Sequence, residues 1–439
     1  MSDEFEKGSW FMVHYDILKT YKLQALIFLL IWIVSMILSA EFLISVSMIG
    51  LLVLAFFQLK INGPQVKITI RDTLKENFQK FKSEKVWWVV SIPFLLVLIS
   101  GTWSSDWDYL LERLRIKLPF LILPFAFLSI PKLTKKEVYV VFYFLVLTMF
   151  VASLWSLGQY FGNFEAVNDQ LSRGIPFPTP SNHIRFSLTL VLSILAGGTL
   201  FYEKFYISNP SERWFIGGMT IILFVFLHVI SVRSGLASFY FAFFCLTLFF
   251  ILKTRRYFVG LALILGLASI PYLAYQMLPS LKNKIDYALW DFKQYQKGLG
   301  KDYSDSERIT SLEIGVSIGN EHPVFGIGAG DLKKRMYQIY ANKYGGKFSK
   351  RMPHSQFVTL YAGVGIVGLL IFLFAFFYPL FYQENWKNPL FSALHAIIFL
   401  SFFMENTIEN NYGISLFLLF LLIGMNYFRK SEDQIQSAT

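Results

Sequence analysis

Apolar runs long enough to cross a bilayer recur along the whole 439-residue chain, and no other feature restricts its fold as strongly. A hydrocarbon core is about 30 Å thick, and a helix needs about 20 predominantly apolar residues to span it. Runs of this kind centre near residues 24 to 40, 43 to 59, 87 to 105, 109 to 131, 139 to 162, 184 to 202, 214 to 232, 235 to 252, 257 to 278, 357 to 380, 389 to 403 and 414 to 428. Residues are 55% hydrophobic, 18% aromatic and only 16% charged, which excludes an ordinary soluble domain. The expected fold is a polytopic membrane protein with about 12 transmembrane helices. Residues 1–278 hold the first nine, 279–356 form one large polar loop, and 357–439 hold the last three and a tail, all within a single integral membrane domain.

Met1 to Lys22 is polar and charged, and no small-residue cleavage pattern follows the first apolar run, so that segment is expected to remain as a helix. The single cysteine, Cys245, lies inside an apolar run and reads as a small buried side chain, with no disulfide framework and no cysteine-based metal site.

Lys and Arg in the short connections set the orientation. Lys60, Lys67, Arg71, Lys75, Lys80, Lys82 and Lys85 lie between runs two and three, Lys132, Lys135 and Lys136 between four and five, and Lys253, Arg255 and Arg256 between eight and nine. With twelve spans these loops share one side, the cytoplasm, together with both termini. The net charge of +11 therefore reflects topology, and no basic stripe with base-stacking aromatics suggests a nucleic-acid partner. Ile61 to Lys85 reads as an amphipathic surface helix on anionic lipid. Trp87, Trp88, Trp103, Trp107, Trp214 and Trp386, near run ends, read as interfacial anchors.

Topology gives cations no reason to gather on the opposite side. Yet Arg113, Arg115, Lys117, Arg173, Arg185 and Arg233 lie at or near outer helix ends, and the insert holds thirteen Lys and Arg against eight Asp and Glu. Long loops translocate largely regardless of charge, so the short-loop arginines carry the argument. They point to an anionic ligand at the outer face, because the guanidinium fork donates two parallel hydrogen bonds to phosphate. Arg233 is a fixed charge in a very short turn at membrane depth, a costly placement that marks a functional candidate. Glu405 and Glu409 form a small acidic outer loop, expected to pair with these cations.

Within the insert, Leu281 to Gln296 reads as an amphipathic helix with Leu281, Ile285, Ala288, Leu289 and Phe292 on one face. A second helix is expected from Ser304, where Ser304 and Glu307 have capping-box spacing. It carries Arg308 on its first turn, a position that opposes the helix dipole and so favours a ligand or a partner carboxylate. His322 to Gly330 contains alternating glycines before a helix from Asp331 to Lys343. That pattern can cradle phosphate, but without a βαβ unit it more simply permits a close backbone approach. His354 sits where the insert meets the tenth apolar run.

Ser231-Val232-Arg233-Ser234-Gly235 opening a helix, Pro323 to Gly330 in an outer loop, and Pro353-His354-Ser355 before a helix with Gly363, Gly365 and Gly368 together resemble the O-antigen ligase and polymerase superfamily. The resemblance covers the topology of the whole chain, and its motifs fall between about residues 228 and 370. It implies an all-helical, GT-C-like, metal-independent glycosyltransferase without a cofactor. The donor would be an undecaprenyl-diphosphate-linked glycan, used at the periplasmic face of the bacterial inner membrane, and the acceptor a hydroxyl of the lipid A core. Arg233 matches the family's arginine before the loop, Arg308 the arginine early in it, and His354 the histidine at its end. His183 and Arg185, in Pro180 to Phe186, match a secondary outer element. Family members often carry Asn after the histidine; here Ser355 stands there.

These residue types suit the chemistry. Two arginines stabilise the departing diphosphate, and a histidine, whose unperturbed pKa is near neutrality, takes or orients the acceptor proton. A polymerase or a protein O-oligosaccharyltransferase would share this site. A lipid-linked sugar flippase would instead place ionisable groups deep in the spans, where His228 and His395 are the main polar residues.

Overall fold

The computed structural model describes residues 2–62, 65–299, 303–345 and 348–429. The chain opens with α1 (Ser2–Ile37) and α2 (Glu41–Phe56), then a hairpin of β1 (Phe57–Asn62) and β2 (Gln65–Ile70). Next come α3 (Leu74–Ser83), α4 (Lys85–Val89), α5 (Ile92–Ser100), α6 (Trp107–Ser129), α7 (Lys135–Gly162), the short α8 (Phe164–Ser172) and α9 (His183–Tyr202). Then follow α10 (Glu212–Ile230), α11 (Arg233–Thr254) and α12 (Tyr257–Met277). The insert folds as α13 (Pro279–Gln296), α14 (Ser304–Glu321) and α15 (Leu332–Tyr344), and the chain closes with α16 (Gln356–Phe381), α17 (Pro389–Met404) and α18 (Asn411–Phe428).

Most of each apolar run in the sequence is helical, which gives a polytopic all-α protein. Among the described residues, eight helical stretches are long and apolar enough to cross a membrane, and α2 and α17 are shorter apolar helices. The third run is broken between α4 and α5 at Val90 and Ser91. The fourth, α6, carries Pro119, Pro124 and the buried Lys117.

Two expectations need correction. Phe57 to Ile70 is not helical but an antiparallel hairpin in the register Phe57↔Ile70, Leu59↔Ile68, Ile61↔Val66, leaving only α3 as helix in the basic connection. The alternation Phe57, Leu59, Ile61 and Val66, Ile68, Ile70 has the strand period of two, and it outweighs the helical pattern. Trp87 is no interfacial anchor: it is buried, and its indole N–H donates to Glu84 at 2.9 Å.

One large apolar core joins the membrane helices, and a second, smaller one lies inside the insert. In the second, Ile314 and Ile318 of α14 meet Leu332, Met336 and Tyr340 of α15, with Ala362 of α16 closing the layer. The insert is therefore built onto α16. Its glycine-rich segment makes the attachment. At Gly365 (φ 70°, ψ −174°) helix α16 leaves helical geometry, and the opened backbone pairs with residues 323–328. Ile327 and Gly328 donate to the carbonyls of Ala362 and Gly363, both at 2.9 Å, while Ile366 donates to Pro323 at 2.9 Å and Val367 to Val324 at 3.3 Å. A helix broken inside apolar surroundings must have its freed N–H and C=O groups satisfied by protein, and this segment does it. The N–H groups of Ala329 and Gly330 go to the hydroxyls of Ser100 and Ser104. The glycines thus serve a close backbone approach rather than a phosphate.

A Cβ at Gly365 would lie 2.2 Å from the Val324 carbonyl oxygen, in a backbone region only glycine adopts without strain. Gly365→Ala is expected to destabilise the protein by about 3 kcal/mol or more. Gly158→Ala on α7, where a Cβ meets nothing within 4 Å, should stay within about 0.5 kcal/mol. Thermal unfolding of the detergent-solubilised protein compares the two.

Candidate active site

Arg233 is the first residue of α11, and the turn before it is held from both sides. Ser231 adopts the left-handed conformation (φ 55°), and its hydroxyl donates back to the His228 carbonyl at 2.6 Å. Ser280 of α13 donates to the neighbouring Val229 carbonyl at 2.7 Å, which brings the insert back onto this turn. Arg233 itself, about half exposed, donates to Asp305 of α14 at 2.8 Å.

Asp305 and Arg308 lie three residues apart, on one side of the first turn of α14. The expected capping box rests on the Ser304 side chain, which lies outside the described residues; Glu307 pairs with Arg351 at 3.1 Å. A cap comes from α13: the buried Asp291 accepts from the Asp305 N–H and the Ser306 hydroxyl, both at 2.6 Å. On α13 the expected apolar face divides, with Leu281 buried and Leu289 and Phe292 exposed. Burial follows the capping carboxylate Asp291, which must face α14.

Arg308 donates to Glu405 at 3.0 Å. Glu405, in the turn after α17, also faces His354, whose Nδ1 lies 3.5 Å from its other oxygen, too long for a formed hydrogen bond and without another partner. The His354 backbone is fixed independently: its N–H donates to the Ser311 hydroxyl at 3.3 Å, and that hydroxyl donates to the Arg308 carbonyl at 2.7 Å. Arg308 and His354 therefore share a carboxylate and a hydroxyl. Burial raises the Glu405 pKa, but the facing His354 and the charges of Arg308 and Arg185 outweigh it and hold the group below the usual carboxylate range.

His183, first residue of α9, lies within electrostatic range of Lys284, Arg308, Glu405 and Arg185. Asn182 caps this helix by accepting from the N–H groups of Ile184 and Arg185. Lys284 is a cation that the sequence reading did not single out. It donates to the Ile175 carbonyl at 2.7 Å, and burial together with the neighbouring Arg233 lowers its pKa to about 8, with Asp305 pulling the other way. The five residues selected from sequence, His183, Arg185, Arg233, Arg308 and His354, thus belong to one cluster, and Lys284, Asp305 and Glu405 complete it. Among the described residues no three His, Cys, Asp or Glu side chains are placed to hold a metal ion.

The other outer cations separate from this cluster. Arg173 makes an exposed pair with Asp169 on α8. Lys117 and Arg113 lie at 2.7 and 3.8 Å from Glu409, so Glu405 and Glu409 do pair with cations as expected. Ser355, in the place of the frequent Asn, donates to the Phe402 carbonyl at 3.0 Å. The carboxamide lies one residue on: Gln356 donates to Glu409 at 2.8 Å and accepts from the Ile408 N–H at 3.1 Å.

Residues 218–373 match a family model described as O-antigen ligase. The match runs from α10 through the insert into α16, and it contains Arg233, Arg308 and His354. No curated protein matches the chain.

Glu405 has a folded-state pKa below its ordinary 4.5, so its contribution to stability is complete above that value and is lost as pH falls through the lowered pKa. Glu405→Gln should reduce stability at pH 7 by about 1–3 kcal/mol and flatten the acid side of the stability profile, measured as unfolding temperature between pH 7 and pH 3. An acid profile identical to that of the unsubstituted protein would contradict the pairing.

Proposed function

We propose that this O-antigen ligase domain makes the chain an inverting glycosyltransferase that moves an undecaprenyl-diphosphate-linked glycan to a hydroxyl of the lipid A core, without a metal ion. The supporting observation is the meeting of Arg233, Arg308 and His354, from α11, the insert and the start of α16, around the carboxylates of Asp305 and Glu405. A diphosphate entering this cluster would exchange with Asp305 for Arg233 and draw on Arg308 and Lys284, all charge-assisted contacts.

In this reading His354 presents Nδ1 to Glu405 and keeps Nε2 for the acceptor. The acceptor O–H gives its proton to Nε2 as its oxygen bonds to the anomeric carbon. The bond from that carbon to the diphosphate oxygen breaks, its electron pair leaves with the diphosphate, and the arginines stabilise the charge. Glu405 holds the imidazole in the required tautomer and stabilises the imidazolium that forms. Attack opposite the leaving group inverts the anomeric centre.

In this reading the chain crosses the inner membrane twelve times with both termini in the cytoplasm, and the cluster faces the periplasm. The order of the helices supports this. The starts of α9, α11 and α16 and the end of α17 form the site, while Lys132, Lys135, Lys253, Arg255 and Arg256 lie at the opposite helix ends. One large loop after the ninth span favours ligase over polymerase. Lipopolysaccharide electrophoresis of a deletion strain distinguishes them: unmodified core with accumulated lipid-linked polymer marks a ligase, core bearing one repeat unit a polymerase. Transfer by purified protein without an energy source excludes a flippase.

His354→Ala and Arg308→Ala, expressed at normal levels, should each lower transfer about 10²-fold or more and fail to complement a null strain. Full-length glycan on the acceptor with both variants would sink the assignment. Lys284 gives a second expectation. It favours the anionic donor only while protonated, so kcat/KM for the donor should fall as pH rises through about 8, and Lys284→Arg should remove that alkaline limb. An unchanged limb in Lys284→Arg would show that another group titrates there.

A further inference from the structure

Beside the cluster lies a cavity of about 370 Å³, walled by α6, α15, the first turns of α16 and the turn between α17 and α18, with Arg185 at its edge. Its size falls in the range of small-molecule sites, roughly 300–1,000 Å³. Tyr109 and Tyr337 provide aromatic faces, and Lys333 Nζ lies 5.1 Å from the first ring and 6.0 Å from the second. Lys333 and Tyr337 are four residues apart on α15, so one helix face supplies both.

The charges in the cavity do not balance. Glu112 pairs with Arg113, and Glu409 with Lys117. Arg185 and Lys333 also line the wall, and neither has an ion pair among the described residues. The Nε of Arg185 and that of Arg113 are buried without a hydrogen-bond partner. Buried N–H donors without acceptors beside a cationic excess make a site for an anion, and the flanking rings and the side chain of Asn406 suit a sugar.

Arg185, Met352 and Thr359 line the cavity, the last two bracketing His354 in sequence, whereas His354 and Glu405 themselves, like Arg233, Lys284, Asp305 and Arg308, do not. We propose that it is a subsite for an acidic sugar of the acceptor, with a carboxylate or phosphate held by Arg185 and Lys333 and the sugar ring against Tyr109 and Tyr337. The assignment to the acceptor rests on the reading that His354 handles the acceptor hydroxyl; the preference for an acidic sugar does not.

The test is direct binding to the full-length protein in lipid nanodiscs, by calorimetry, with trigalacturonic acid, glucose 6-phosphate and neutral maltotriose as probes. At least one anionic probe should bind about tenfold or more tightly than maltotriose. Preference between the two names the carboxylate or the phosphate as the recognised group. Lys333→Gln should abolish the difference and Lys333→Arg retain it, both with unchanged unfolding temperature, while Arg233→Ala should bind the anionic probe like the unsubstituted protein. Equal binding of acidic and neutral probes, no binding of either anion, or a loss in Arg233→Ala as large as in Lys333→Gln would overturn the subsite. In transfer assays Lys333→Gln should raise the acceptor KM about tenfold and leave the donor KM unchanged; a rise in the donor KM instead would place the cavity with the donor. Inactivity in transfer together with retained anion preference would overturn the function above and leave the subsite standing.

Discussion

The turn between α17 and α18 carries two buried carboxylates, and the outer end of the molecule is organised by what neutralises them. Burying a charge is tolerated only when it is paired and hydrogen-bonded. Glu405 meets that requirement with Arg308 from the insert, with His354 from the start of α16 facing its other oxygen, and Glu409 with Lys117 and Arg113 from α6. One short turn therefore ties together three elements that are far apart in sequence. The Glu405 carbonyl also accepts from the first N–H of α16 at 3.1 Å, so the helix that presents His354 is anchored to the same turn. Burial raises the pKa of both carboxylates, yet the facing His354 and the charges of Arg308 and Arg185 at Glu405, and those of Lys117 and Arg113 at Glu409, prevail and hold both below the usual carboxylate range.

The insert depends on a second constraint. A helix broken at Gly365 leaves backbone groups that lipid cannot satisfy, and the glycine-rich segment supplies their partners. That pairing fixes α14 and α15 against α16, and through α14 it sets the distance between Arg308 and His354. Asp331 holds the opposite side, accepting from the N–H groups of Ser105 and Asp106 and from the Ser105 hydroxyl. The insert is consequently part of the wall of the site rather than a detached domain, and the cavity containing Lys333 and Tyr109 lies along the same seam.

Much of this was legible in the chain because it follows from local rules. Apolar runs announce helices, since the bilayer leaves few alternatives, and helices occupy most of each run, eight of them long and apolar enough to span among the described residues. Arg233 and Arg308 stood out because each occupies a place where a cation is locally unfavourable, one at membrane depth and one on a helix first turn. The hairpin at Phe57 to Ile70 was legible too, in its alternation, but the basic character of the connection masked it. Lys284 gave no signal: it is one of many lysines in the insert, and only the fold buries it and brings the Arg233 charge near it. Likewise the capping of α14 by Asp291 could not be read from spacing, because the carboxylate arrives from another helix.

The sequence by itself determined the helical class, the position of the polar insert and the residue types available for an anionic ligand, because hydrophobic period, chain punctuation and charge are local properties. The tertiary structure decided which of those charges act together. Arg173 and Arg233 look alike in the chain, yet one ends in an exposed pair on its own helix and the other against Asp305. Pairing of buried charges is set by distances between elements remote in sequence, and these depend on where α16 breaks and how the insert docks onto it.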